Sequence, residues 1–255
     1  MKLKATVFLS SLVLSGTVLA QAKAPEPDYT LSYNIGAVTE YRYRGISQSA
    51  KKPALQGGID FAHKSGFYVG TWGSTIRWIK DSSNSGVNVK GPVEIDLYGG
   101  YKGTINDTFS YDVGGLEYWY AGNTLKDLTG TNANTFELYG SVTAGPATLK
   151  YSHATTNLFG TPNSKGSGYL DLSGTFDLGN GLSLVPHIGA QRIKNFGTYH
   201  DVSLTLAKDW SGTVLSGAIV STDWSHRFGA QYTLPETGNK DLAGTSLVLG
   251  IKKNF

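Results

Sequence analysis

The chain has 255 residues, with 33 Gly, 15 Tyr, one Met and no cysteine, and a formal net charge of +3. Without cysteine it holds no disulfide scaffold, thiolate metal site or cysteine nucleophile, and so small a charge excess is not the basic surface that nucleic-acid binding requires. Abundant Gly and Tyr point away from helical bundles and toward β structure.

The first residues read Met1-Lys2-Leu3-Lys4, followed by an apolar run from Ala5 to Ala20 broken by small polar residues. Small residues at Ala20 and Ala22 suit a signal peptidase cutting after either, whereas a cut after Ala24 is blocked by Pro25. The run is short for a spanning helix and is interrupted by Ser and Gly. The expected organisation is a secretory signal peptide over residues 1–22 and one exported domain over 23–255. Loss of Lys2 and Lys4 leaves that domain close to neutral. Beyond the leader no apolar run approaches the ~20 residues that a membrane helix needs.

From Tyr29 the chain alternates for sixteen residues. Tyr29, Leu31, Tyr33, Ile35, Ala37, Thr39, Tyr41 and Tyr43 share one face. Thr30, Ser32, Asn34, Gly36, Val38, Glu40, Arg42 and Arg44 share the other. A period of two over this length predicts one long strand over 29–44. The pattern recurs, and predicts strands near 54–63, 66–78, 92–105, 108–121, 134–144, 147–155, 168–177, 182–192, 199–209, 213–223 and 243–255. Pro186, mid-strand, predicts a bulge or a misplaced strand boundary, and a parity change at Gly114-Gly115 predicts a bulge. The strands over 66–78 and 213–223 show no clear polar face.

Connection length sorts by strand parity. Tight turns carry Asn106-Asp107, Gly145-Pro146, Gly179-Asn180-Gly181 and Gly212, while longer polar loops run over 80–90, 123–134 and 155–168. An even number of strands joined alternately by short turns and long loops is the plan of a transmembrane antiparallel up-and-down β-barrel, here all-β with about twelve strands. Phe61, Phe67, Tyr101, Phe109, Phe176, Trp210 and Phe255 gather near the short-turn end, as in an aromatic girdle.

The stretch Tyr41-Arg42-Tyr43-Arg44-Gly45-Ile46-Ser47-Gln48-Ser49 resembles the TorF-like porin family. So do Pro53-Ala54-Leu55-Gln56-Gly57-Gly58-Ile59-Asp60, Gly66-Phe67-Tyr68-Val69-Gly70-Thr71-Trp72 and Glu94-Ile95-Asp96-Leu97-Tyr98-Gly99-Gly100-Tyr101. The likeness is specific in the first third of the exported chain and looser toward the C-terminus. It implies an outer-membrane barrel of a Gram-negative bacterium, and it names no solute.

Phe255 ends an apolar face with Ile251, Leu249 and Leu247, which reads as a C-terminal signal for the barrel-assembly machinery; Lys253 stands where that pattern usually carries an apolar residue. No nucleophile elbow, phosphate loop or zinc helix occurs. The histidines His63, His153, His187, His200 and His226 lack metal-ligand spacing, so neither a metal nor a cofactor is expected. The polar faces bring Arg42, Arg44, Lys102 and Lys150 together with Glu40, Asp60, Glu94, Asp96, Asp112, Glu137 and Asp171. Glu40, Arg42, Arg44, Asp60, Glu94 and Asp96 are the candidate lumen residues, with the two arginines opposing carboxylates of the second to fourth strands. Two uses stay open: a constriction that sorts solutes by charge, or a salt-bridged network that fills the bore.

The sequence thus reads as a porin-like channel for passive diffusion of ions or small hydrophilic solutes, set in outer-membrane lipid, with a second copy of the chain as a further candidate partner. The alternatives are a barrel enzyme acting on lipid and a structural or adhesive barrel with a plugged lumen. A soluble β-protein would expose too much apolar surface.

Overall fold

The computed structural model describes residues 27–255; the leader expected over 1–22 lies outside them. Twelve strands form the barrel among the described residues. They are β1 (Tyr29–Val38), β2 (Ala54–His63), β3 (Phe67–Thr75), β4 (Val93–Thr104), β5 (Phe109–Trp119) and β6 (Thr135–Ala144). There follow β7 (Ala147–Ala154), β8 in two pieces (Gly168–Gly174 and Phe176–Gly179), β9 (Leu182–Ile193), β10 (Gly197–Trp210), β11 (Thr213–Thr222) and β12 (Ser246–Asn254).

Each strand pairs antiparallel with its chain neighbours, and β1 pairs with β12 from Asn34↔Asn254 to Val38↔Gly250. Tyr33 and Phe255 extend that seam by exchanging backbone hydrogen bonds of 3.2 and 2.9 Å. The sheet therefore has no free edge. Its outer face carries Leu31, Ile35, Leu55, Val69, Leu138, Leu149, Leu170, Ile188, Leu204, Ile219 and Leu249, all exposed. In water this band would be a severe liability; in hydrocarbon it is what a closed barrel presents.

At one end of the barrel the connections are tight: 64–66, 105–108, 145–146, 180–181 and 211–212. Asn180-Gly181 and Ser211-Gly212 hold positive φ at both positions, the geometry of a two-residue hairpin turn that follows strand twist. Five connections at the other end are long: 39–53, 76–92, 120–134, 155–167 and 223–245. The sixth breaks the parity rule, since β9 and β10 join through residues 194–196 alone, with Ile193 and Gly197 still paired. Three short helices sit in the long loops: α1 (Trp78–Asp81), α2 (Lys126–Thr129) and α3 (Trp224–Phe228).

Three sequence expectations are corrected. First, β1 stops at Val38; residues 39–53 turn inward and form a two-stranded ribbon, Arg42–Tyr43 against Ile46–Ser47. Second, there is no bulge at Gly114-Gly115, because register runs unbroken from Ile95↔Trp119 to Thr104↔Ser110. Leu116 is apolar yet points inward, where it packs on the aromatic cluster of Tyr41, Tyr118 and Tyr120. Third, Pro186 pairs with Leu204 without a register shift. The interruption falls instead on the neighbouring strand, where β8 breaks at Thr175 and that residue's N–H goes to Pro146 O at 2.9 Å. A proline offers no N–H to a ladder, so the gap appears on the side that would have received it.

The Gly and Tyr content has a packing reason. Inward tyrosines lie across glycines of the adjacent strand: a Cβ at Gly70 would meet the Tyr98 ring at 2.5 Å, and one at Gly114 the Tyr139 hydroxyl at 2.5 Å. Large flat rings thus line the wall without filling the bore. They also explain β3, whose inward positions Tyr68, Gly70, Trp72 and Ser74 read as neither polar nor apolar.

Candidate functional site in the lumen

The ribbon reaches across the long-loop half of the barrel. Its tip is Arg44-Gly45, with φ of 46° and 78°, a left-handed pair in which Asn-Gly is the usual choice. Arginine in this region costs roughly 1–2 kcal/mol. Glycine at 45 is required twice, since a Cβ there would also lie 2.7 Å from Asp201 Cβ on β10.

The strained arginine is held by what it touches. Its Nη2 donates to Glu137 Oε2 on β6 at 2.6 Å, and its Nη1 donates to Gln191 Oε1 on β9. The guanidinium lies over the rings of Tyr43 and Tyr169, 4.8 and 4.3 Å from their centroids. Tyr199 on β10 donates its hydroxyl to Arg44 O at 3.2 Å. Tyr43 and Tyr118 join hydroxyl to hydroxyl, and Tyr118 also donates to Glu137 at 3.3 Å. One arginine thus ties the inserted ribbon to strands on the far wall through a planar fork that suits a carboxylate.

Tyr41, expected on the lipid face, is instead buried in the lumen and donates to Glu94 Oε1 at 2.6 Å. Burial first, then the Glu94 charge, pushes its phenol well above the ordinary value, so it stays protonated and donates. Arg42 faces neither the bore nor the second to fourth strands. Its Nε meets Glu40 at 3.1 Å, and its Nη1 donates to Gly45 O and Gly244 O, both at 2.8 Å. Ser246 donates to the other Glu40 oxygen at 2.6 Å. Arg42 and Glu40 therefore fasten the base of the ribbon to the start of β12.

Below the ribbon the wall is wetter. Tyr98 donates to Asp60 and Tyr68 to Asp112, each at 2.6 Å, and Tyr68 meets the Tyr139 hydroxyl. Lys102 and Lys150 sit over the rings of Tyr68 and Tyr139 at 4.5 and 4.1 Å. His187 pairs with Asp171 at 2.6 Å and approaches Asp201 at 3.6 Å. Asp60, Asp112, Lys150, Asp171 and His187 are half-buried and Lys102 is exposed.

Above the ribbon the long loops close over it. Ile79, Val89, Leu125 and Ala133 form an apolar cluster with Tyr41, Trp78 and Tyr120, while Trp224 gathers Tyr199, Phe228 and Tyr232. Between the two clusters lies a cavity of about 250 Å³ lined by Tyr43, Arg44, Trp78, Tyr120, Phe159, Gln191, Phe196, Tyr199 and Trp224, among others.

Of the six candidate lumen residues, Arg44, Glu94, Asp60 and Asp96 face the bore and Glu40 and Arg42 anchor the ribbon. The two arginines do not oppose Asp60 or Glu94. Residues that the sequence reading passed over, Gln191, Tyr118, Tyr169 and Asp201, complete the site; only their inward parity could have flagged them. Phe255, Ile251, Leu249 and Leu247 are exposed on the outer face. The histidines remain dispersed, and among the described residues no group of three His, Asp or Glu is placed to hold a metal ion.

No curated protein matches the chain. Among solved structures it is similar to the KdgM porin in complex with disordered oligogalacturonate. The TM-score is 0.53 at 10% identity, over 88% of this chain and 98% of that one. It is likewise similar to the NanC porin, at TM-score 0.52 and 10% identity over 88% and 99% of the two chains. At these identities the likeness is one of fold. The family match spans residues 21–255 and carries the description "Bacterial protein of unknown function (Gcw_chp)" rather than the TorF-like name that the motifs suggested. The chain belongs to that Gcw_chp family, and its fold is that of a porin-like outer-membrane β-barrel.

Proposed function

We propose that the protein is an outer-membrane channel for small hydrophilic solutes that favours cations. In this reading the short turns face the periplasm, the long loops face outward, and the apolar band sits in outer-membrane lipid. The observation that carries it is the short-turn half of the lumen, where Asp60, Asp112, Asp171, His187, Lys102 and Lys150 remain in reach of water inside a closed apolar cylinder. Counted over the whole lumen, its ribbon-covered half included, inward Asp60, Glu94, Asp96, Asp112, Glu137, Asp171 and Asp201 outnumber Arg44, Lys102, Lys150 and Lys252. Fixed charge in a narrow bore with low-dielectric walls focuses its field on passing ions, so this excess favours cations. An oligogalacturonate is polyanionic, and a wall of this sign is unsuited to it.

The test is reversal potential across a planar bilayer under a salt gradient. A shift toward the cation equilibrium potential supports the reading, and an anion-selective conductance overturns it. One observation favours a second reading, a plugged barrel: the ribbon and the apolar dome together occupy the long-loop half. A wild-type barrel that stays silent, and conducts once residues 40–52 are replaced by a short Gly-Ser link, would establish that plug.

A further inference from the structure

We infer that the outer rim over β7–β9 binds the phosphorylated sugar headgroup of an outer-leaflet lipid. The inference rests on the orientation given above, with the long loops facing outward.

The register of the sheet sets the place. His153 of β7, Gly168 of β8 and Arg192 of β9 lie side by side, and they share the outward parity of the exposed Leu149, Leu170 and Ile188. One step down the same face stand Tyr151, Leu170 and Ala190, and then Leu149, Leu172 and Ile188. The Tyr151 ring lies across Gly168, where a Cβ would run into its hydroxyl. An apolar column thus ends in a tyrosine and, above it, in basic side chains. That is the order of acyl chain, interface and headgroup.

Above this row the loops 155–167 and 194–196 are stitched together. Asn195 Nδ2 donates to Asn163 O at 2.9 Å, and the Lys194 N–H donates to Ser167 Oγ at 3.0 Å. Asn157 Oδ1 accepts the N–H groups of Ser164 and Lys165 at 3.0 and 3.1 Å. Between them is an open hollow of about 590 Å³, bordered by His153, Asn157, Asn163, Lys165, Lys194 and Asn195. No long loop rises beside it from β9 and β10, because residues 194–196 alone join those strands.

Charge gives the class of ligand. Lys165, Arg192 and Lys194 are exposed, and none of them pairs with a carboxylate among the described residues. Neither loop carries an acid. Between Asn157 and Asn195 the acids are Asp171, which faces the lumen, and Asp177, at the short-turn end. Asp223, farther round the rim, is taken up by Arg227 and His200. Cations gathered without a counter-charge repel one another until an anion joins them, and phosphate brings both charge and acceptors for their N–H groups. The asparagines suit the sugar. Asn157 spends only its oxygen and Asn163 only its backbone carbonyl, so both side-chain NH2 groups are left to donate to hydroxyls. A free phosphate would use the cations and leave the asparagines and the apolar column idle; a lipid with a phosphorylated sugar head uses all three.

The experiment uses the full exported chain refolded in detergent, with diphosphorylated lipid A as the probe and its dephosphorylated form and sodium phosphate as references. Native mass spectrometry over a lipid titration reads binding. Lipid A is expected to bind the wild type in preference to both references. Lys165→Gln combined with Lys194→Gln should weaken that binding about tenfold or more, while Lys165→Arg with Lys194→Arg should retain it. Lys51→Gln with Lys52→Gln, at exposed lysines elsewhere on the long-loop side, should leave it unchanged. Equal affinity in the wild type and the Lys165→Gln, Lys194→Gln variant overturns the inference. An equal loss in both glutamine pairs also overturns it, since surface charge in general would then be the cause. Sodium phosphate that binds as tightly as lipid A overturns the lipid assignment. Orientation is read separately: the chain has no cysteine, so Lys126→Cys in the long loop 120–134 reports labelling of intact cells by a membrane-impermeant maleimide. Unlabelled cells remove the orientation and the lipid assignment with it, whereas labelled cells with unchanged lipid binding in the glutamine variant remove the site alone.

Discussion

In the long-loop half of the lumen Glu94, Glu137, Gln191 and Asp201 are each 2% exposed or less, whereas in the short-turn half Asp60, Asp112, Lys150 and Asp171 keep substantial contact with solvent. Both sets occupy inward positions of the same barrel, on different strands. The difference is what stands in front of them: in one half a folded-in ribbon and a dome of loops, in the other an open bore. A buried polar group must find a partner within the protein, so Glu137 and Gln191 are tied to Arg44, Glu94 to Tyr41 and Asp201 to Tyr169. The lower set is screened by water and couples weakly, which leaves its charges available to passing solutes. The same residue types are thus structural in one half and suited to permeation in the other.

Breaking the network should separate the halves most sharply. Arg44→Ala leaves Glu137 buried without its cation and is expected to cost about 3–5 kcal/mol, read from chemical unfolding in detergent, together with a larger single-channel conductance. Asp171→Asn breaks the partly exposed pair with His187 and should cost less than about 1 kcal/mol. Equal losses in the two variants would erase the distinction.

The wall itself comes next. Gly114→Val drives a side chain into the Tyr139 hydroxyl and should cost about 1–3 kcal/mol, with a changed conductance as the ring swings into the bore. Gly217 faces outward, and a Cβ there meets Leu249 at an ordinary 3.6 Å. Gly217→Ala should therefore leave both stability and conductance near the wild-type values.

The seam offers a smaller effect with two separable parts. Deleting Phe255 removes the exposed ring and also the backbone hydrogen bonds with Tyr33. Phe255→Ala removes only the ring. If Phe255 with Ile251, Leu249 and Leu247 forms the assembly signal, both variants should lower the amount of folded barrel in the outer membrane. If only the deletion does so, barrel closure and not recognition is its role.

The smallest effect is expected at the loop rim. Asp223 lies beyond β11, and its carboxyl is held down to about 2. Slight burial acts upward, but the backbone N–H of His200 and the side chains of Arg227 and His200 outweigh it. A folded value below the unfolded ~3.9 means that its contribution is complete above about pH 4 and is lost as pH falls toward 2. Asp223→Asn should lower the melting temperature slightly at pH 7, and by progressively less as pH falls through 2. The effect is small because the half-buried group is still screened by solvent.

The predicted strand 29–44 shows where sequence reading stops. Tyr41 and Tyr43 alternate with Glu40, Arg42 and Arg44 as regularly as the residues before them, and alternation reports only that successive side chains point to opposite sides. It is silent on what lies on each side. In β1 one side is the apolar exterior and the other the lumen; in the ribbon both sides are lumen. The apparent parity change at Gly114-Gly115 has the same origin, since Leu116 is apolar because the inside is apolar at that level.

By itself the sequence determined the strands, their order, the tight turns and the closure of the sheet. These follow from local periodicity and turn chemistry, together with the need of a spanning sheet to leave no edge. Only the tertiary structure decided that residues 39–53 enter the bore, that Arg44 chooses Glu137 over Asp60 or Glu94, and that Tyr41 meets Glu94 inside the lumen. Those outcomes depend on distances across the barrel between groups far apart in the chain, as Arg44 and Glu137 are at 93 residues. No local pattern encodes which inward groups meet there, because the contact exists only once the sheet has closed.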